Sequence, residues 1–280
     1  MKKLKVYHGK ITEMLVHFML GNKVETDEVT GARTLSTNGV TITLSTEFNV
    51  TVYCHKLLMY IISLYTQDKS CNIVEFRLKD FLGVCGKNVN SKPSVDKSRL
   101  ETKSALETLK HLMVSVDEGE RKHHTHIDSM QLIDSKSKIR NGNVTVYITA
   151  DFAEYLTHRP IGEYVSTLFT CDGRKKNEYA LGYKMVIHNS MKCSQKYNTA
   201  HTLKVATILE NTNLPDYEKV VEERQSWRRV IKDKMENSLA NLIEIDVVIE
   251  WKYGIEGEID SWLDFKQNKI NFAIISEVTE

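Results

Sequence analysis

The sequence predicts an α+β fold built on a unit that occurs twice, a long amphipathic helix running into a β-hairpin. Three observations predict it. From Val95 onward, Val95, Thr102, Ala105, Leu106, Leu109, Leu112 and Met113 fall in one stripe at a 3.6-residue period. After Met113 the pattern turns to short β-type runs. Residues 130–135 and 143–149 flank a tip of Lys136, Ser137, Lys138, Ile139, Arg140, Asn141 and Gly142, and Asn-Gly is a strong turn signal. Sliding the sequence on itself by about 133 residues lays 105–117 on 238–250, so that Leu106 meets Leu239, Leu109 meets Leu242 and Val114 meets Val247.

In chain order, residues 11–20 form a short amphipathic helix ending near Gly21, and the polar stretch 25–38 reads as a loop. Residues 1–37 are thus expected to be an N-terminal helical and loop extension. Residues 40–44 alternate as a strand. Leu57, Leu58, Ile61, Ile62 and Tyr65 place a core-facing helix over 54–65; 73–77 read as a strand, and 78–84 as a short helix ended by Gly86. Pro93 and Ser94 then open the long helix, Ser94 being a good N-cap whose hydroxyl can accept from free backbone N–H groups. Its outer face carries Asp96, Lys97, Leu100, Lys103, Ser104 and Glu107.

Arg159-Pro160 breaks regular structure within 155–164 and separates a first domain, 38–157, from a second, 158–280. In the second, 178–191 read as helix, 197–203 as extended and 203–209 as a second helix. Pro215-Asp216 opens a long helix with a buried stripe of Val220, Trp227, Ile231, Met235, Leu242 and Ile243. Gln225, Ser226, Arg229, Lys232 and Asp233 lie outside that stripe. The chain then runs into a hairpin pattern, 262–265 and 270–274, with a tip of Lys266, Gln267, Asn268 and Lys269.

Helix, strand, helix, helix, hairpin is the order of a winged helix, a helix-turn-helix variant whose last helix enters a major groove. Two such units in one chain resemble the tandem winged-helix replication initiators of plasmids and some phages. The resemblance rests on element order and covers the chain from about residue 38. Other parts of it are Asn-Gly-Val-Thr-Ile-Thr at 38–43, His-Lys-Leu-Leu at 55–58 and Asn-Glu-Tyr-Ala-Leu-Gly-Tyr-Lys at 177–184. It implies a non-enzymatic protein that binds repeated origin sequences in double-stranded DNA, helps to open the duplex and recruits host replication proteins. A second copy of the chain is a further candidate partner.

Composition sets bounds on this reading. A hydrophobic fraction of 41% with 27% charged residues fits a globular protein with real cores. The 38 basic and 37 acidic residues leave +1, which by itself does not announce a nucleic-acid partner. The cations nevertheless cluster, at Lys87, Lys92, Lys97, Arg99 and Lys103, at Arg174, Lys175 and Lys176, and at Arg224, Arg228, Arg229, Lys232 and Lys234. Cys54, Cys71, Cys85, Cys171 and Cys193 lack CxxC spacing, which fits reduced thiols in a cytoplasm. No segment approaches the roughly 18 apolar residues of a membrane span.

Catalytic and metal motifs are scarce. His123-His-Thr-His126 puts imidazoles close together, but no further ligands converge on them and Thr125 stands where a rolling-circle nickase carries a bulky apolar residue, so the stretch reads as a polar loop. There is no P-loop, GxSxG or HExxH, and adjacent Glu222 and Glu223 point apart on a helix. Trp227, Trp251 and Trp262 fall at apolar spacing and read as core. No catalytic residue, metal or cofactor is expected.

The expected DNA-binding residues are Lys92, Ser94, Lys97, Lys103 and Ser104 on the first long helix, Lys136, Lys138 and Arg140 on its hairpin, Gln225, Arg228, Arg229 and Lys232 on the second helix, and Lys266 and Lys269 on the second hairpin. Hairpin cations would hold phosphates. Arg and Gln on the helices would read base edges. The near-neutral charge keeps open a protein-interaction or inhibitor module on a winged-helix scaffold that binds no DNA, and a transcriptional regulator is a further alternative.

Overall fold

The computed structural model describes residues 3–274 apart from 8, 22, 38, 118–125, 194–200, 256 and 258. The chain divides into two compact units, Leu4–Gly162, and the part from Glu163 onward together with Lys3.

The first unit opens with β1 (Lys3–Tyr7) and α1 (Lys10–Leu20). α1 stops where Gly21 turns left-handed at φ 79°, a conformation that glycine adopts without a Cβ penalty. β2 (Glu25–Thr26), β3 (Arg33–Thr37) and β4 (Val40–Leu44) follow, so the stretch expected as a loop forms strands. The reason is local. One Asp27 carboxylate oxygen accepts from the Val29 and Thr30 N–H groups at 3.0 and 2.6 Å and from the Thr30 hydroxyl at 2.7 Å, which closes a turn and lets the Thr-rich arms pair. β3 then pairs with β4 along its whole length, with buried Leu35 opposite buried Ile42.

Thr51 caps α2 (Val52–Gln67) by accepting from the Cys54 N–H at 3.1 Å. Leu57, Leu58, Ile61, Ile62 and Tyr65 are all buried, as the periodicity requires. β5 (Ile73–Arg77), α3 (Leu78–Val84) and α4 (Lys92–His111) come next. α4 begins earlier than expected. Its N-cap position is Ser91, not Ser94, and Pro93 lies in the first turn, where a missing N–H leaves no bond unmade.

β6 (Met113–Asp117), β7 (His126–Gln131), β8 (Lys138–Arg140), β9 (Asn143–Tyr147), α5 (Ala150–Thr157) and β10 (Ile161–Val165) complete the unit's elements, the last running across its boundary. One sheet has the order β2-β3-β4-β6-β7 and a second the order β5-β9-β8. The hairpin is therefore tighter than the sequence suggested. Asn141 and Gly142, at φ 52° and 79°, make a two-residue turn between β8 and β9, while β7 pairs with β6 in the other sheet. Lys136 lies off the tip, in a separate turn where its N–H donates to the Asp134 carboxylate at 2.8 Å.

The second unit runs from a 3-10 turn (Ser166–Thr170) through α6 (Lys176–Cys193), β11 (His201–Lys204), α7 (Val205–Glu210), α8 (Tyr217–Glu222) and α9 (Asp233–Glu244) to β12 (Val248–Tyr253), α10 (Trp262–Gln267) and β13 (Lys269–Ile274). The long helix expected from Pro215 onward is broken, and Ile243, expected in its buried stripe, lies exposed at the end of α9. α8 ends at Arg224 with φ 52°, where the Gln225 N–H bonds back to the Val220 carbonyl, and the chain re-enters through a π-helical turn, Arg228–Lys232, that leads into α9. The 262–265 run is helical and not a strand, because the Ser261 hydroxyl accepts from the Asp264 N–H at 3.1 Å and starts α10. The strand partner of β13 is β12. Trp227, Trp251 and Trp262 are half-buried; two of them join a cluster around buried Phe265, with Tyr217 stacked on Trp262 at 4.5 Å between ring centroids.

The two units share one topology. The elements α2, β5, α3, α4, β8, β9 correspond in order to α6, β11, α7, α8 with α9, β12, β13. The three-stranded sheets match as well, β5-β9-β8 against β11-β13-β12. Leu106, Leu109, Leu239 and Leu242 are all buried at equivalent helix positions. The strands that follow do not correspond. Val114 lies in β6 of the five-stranded sheet, whereas Val247 leads into β12 of the hairpin.

Candidate nucleic-acid interface

α4 buries Ser98, Thr102, Ala105, Leu106 and Leu109 and turns its other side to solvent. Lys92, Lys97, Arg99, Lys103 and Ser104 are exposed there, and Ser94 is half-buried. β8 packs alongside α4. Its Lys138 and Arg140 are exposed next to the exposed Asn141 and Asn143. These four residues, with Glu75, Arg77 and Asp80, line an open cleft of about 580 Å³ between the hairpin and the start of α3. Arg77 is held there by Asp80, to which it donates two hydrogen bonds of 2.9 Å. Their mutual hydrogen bonding raises the Arg77 guanidinium above its ordinary value, so it is a permanent cation. Arg77, Asn141 and Asn143 are lining residues that periodicity does not mark, since β5 meets the hairpin only through sheet pairing.

In the second unit the expected residues divide. Arg229 is exposed, and its side chain has no hydrogen bond or ion pair among the described residues. Gln225 is exposed and donates to Glu223 at 2.9 Å. Arg228 is occupied, donating to the Ile259 and Asp260 carbonyls at 3.3 and 3.0 Å and lying 3.6 Å from the Asp260 carboxylate. Lys232 is half-buried and paired with Glu236 at 3.0 Å, and the same carboxylate oxygen accepts from the Tyr253 hydroxyl at 2.8 Å. Burial, and then Glu236, raise the Tyr253 phenol well above its ordinary value, so it stays a donor. Lys266 is carried by α10 and Lys269 by the first position of β13, so the two do not share a hairpin tip.

A second basic cleft, of about 450 Å³, lies between the start of α6 and the flank of α9, lined by Arg174, Lys175, Lys176, Lys234 and Asn237 among others. Within it, Arg174 pairs with Asp172 at 2.7 Å and Lys175 with Glu178 at 3.3 Å. Residues 123–125 and the His126 side chain lie outside the described residues. Among the described residues no group of three His, Cys, Asp or Glu could hold a metal, and no helix is long and apolar enough to cross a membrane.

A recognition-type helix beside a cationic hairpin, in a unit that recurs once, defines a tandem winged-helix protein. Residues 37–181, just over half of the chain, match the family model described as Initiator Replication protein, WH1, and the chain belongs to that family of replication initiators. Among solved structures it is similar to the Pi initiator protein in complex with iteron DNA, with a TM-score of 0.55 at 9% identity over 98% of each chain. It is also similar to domains 2 and 3 of RctB, with a TM-score of 0.51 at 12% identity over 94% of this chain and 99% of that one. Both likenesses concern the fold. No curated protein matches the sequence.

Proposed function

We propose that this chain initiates DNA replication by binding repeated duplex sequences with both winged-helix units. α4, and α8 with α9, present side chains to base edges in the major groove, and the hairpins β8–β9 and β12–β13 hold backbone phosphates. The observation that carries this reading is the exposed α4 face, with Lys92, Lys97, Lys103 and Ser104, set beside a hairpin bearing Lys138 and Arg140. That pairing supplies both kinds of contact a sequence-specific complex needs. Family membership and the likeness in fold to an initiator solved with iteron DNA support it.

In this reading the site performs recognition, and no covalent bond is made or broken. Local charge drives association, so the net +1 is no obstacle. Binding at an origin in the cytoplasm would help to open the duplex and bring in host replication proteins. Footprinting on DNA flanking its own gene tests the proposal: protection of short repeats, weakening with added salt, is the expected result. One observation favours a protein-binding role for the second unit, namely that Arg228, Lys232 and Lys175 there are already ion-paired. Footprints unaffected by loss of the Arg229 side chain would favour that role.

A further inference from the structure

We propose that Leu100 is a specificity-determining residue that packs on the C5-methyl group of a thymine in the major groove. The inference rests on the DNA-binding reading above and names one base contact within it.

Leu100 is 69% exposed at the crest of α4, directly opposite the side that buries Ser98, Thr102, Ala105 and Leu109. On a helix surface its neighbours are the residues three and four positions away. Here they are Asp96, Lys97, Lys103 and Ser104, all polar and all exposed, so Leu100 is an apolar island in a polar ring. Nothing in the first unit's own core calls for a leucine there. At about 100° per residue, Lys97 and Lys103 stand roughly 60° to either side of Leu100. A helix lying in a major groove about 12 Å wide turns its crest to the base edges and its flanks to the two phosphate walls. The cations on the flanks fit the walls. The crest suits the floor, where the only apolar feature a base pair offers is the thymine methyl. Asp96, one turn before Leu100 on the same crest, would be repelled by phosphate but can accept from a base amino group.

The test uses the full chain and the duplex it enriches from a random pool. Each thymine in that duplex is replaced singly by deoxyuridine, which removes the methyl and leaves the pairing edge intact. Wild-type protein should lose about four-fold in affinity at one thymine within the part of the site that α4 covers, the value of one buried methyl group. Leu100→Ala, an exposed change to a better helix former, keeps its unfolding temperature and binds thymine and deoxyuridine at that position equally. Equal sensitivity in both proteins, or no sensitive thymine, overturns the Leu100 contact while leaving DNA binding standing. Failure to enrich any duplex overturns the DNA-binding reading and this contact together.

Discussion

Arg228 donates to the Asp260 carbonyl at 3.0 Å and lies 3.6 Å from its carboxylate, so one of the cations expected to meet DNA is already engaged within its own unit. Arg229, its neighbour, has no such partner among the described residues. Arg229→Ala should therefore cost about 1–3 kcal/mol of binding to the specific site and relax preference at one base pair. Arg228→Ala should change specific binding less, and should lower unfolding stability by no more than about 1 kcal/mol, as for a half-exposed ion pair. Titrations on specific and random duplex, with denaturant unfolding of each variant, separate the two. A larger binding loss for Arg228→Ala would show that the Asp260 contact opens on DNA.

The hairpin prediction is a slope. Replacing Lys138 and Arg140 by Ala removes two phosphate contacts and should flatten the log-log salt dependence of binding by about 1.8, roughly 0.9 for each. Lys136→Ala, which lies off the hairpin, should leave the slope near that of the parent. Equal effects from all three would return Lys136 to the phosphate wall.

Gly142 at φ 79° has no heavy atom near the place a Cβ would occupy, so its substitution tests backbone conformation without a clash. Gly142→Ala should destabilise the first unit by about 1–2 kcal/mol, the cost of holding an L-residue left-handed. It should also weaken DNA binding by loosening the hairpin. Thermal unfolding and a binding titration check both.

Thiol reactivity should report burial. Burial pushes the Cys54 and Cys85 thiols up to about 12, whereas Cys71 is exposed. A raised pKa means less thiolate below that value. At pH 8 a thiol reagent should therefore modify Cys71 before Cys54 and Cys85, which it reaches only when the unit opens, as peptide mapping after timed labelling would show. Early labelling of Cys54 would contradict the packing of α2.

Much of the fold was legible because helix burial is periodic and local. The stripe through Leu106 and Leu109, and its echo in Leu239 and Leu242, marked two helix faces that are buried, although the second helix is interrupted near Arg224 and Ile243, expected in its stripe, is exposed. Strand partners are not local, and there the reading failed. Nothing near 130–135 says that β7 pairs back to β6 and leaves the hairpin to β8 and β9. The 262–265 run was a short apolar stretch that fits strand or helix. The signal that could have decided it is Ser261 followed three residues later by Asp264, a capping pattern. On the candidate interface, exposure of Lys97, Lys103 and Arg229 followed from their place off the stripe. The ion pairs that occupy Arg228 and Lys232 depend on Asp260 in a distant loop and on Glu236 one turn along.

The π-helical turn at Arg228–Lys232 bears on how the second unit can change in length over time. Such a turn holds about one residue more than an α-helical one within the same full rotation. Deleting one residue from it would restore regular winding. Everything on its N-terminal side, Gln225 included, would keep nearly its present orientation relative to α9, because the extra residue is taken up within one full rotation. The second unit can thus take a one-codon change in length here while Val220 before the turn and Met235 after it stay in the core, a latitude that the unbroken α4 does not offer.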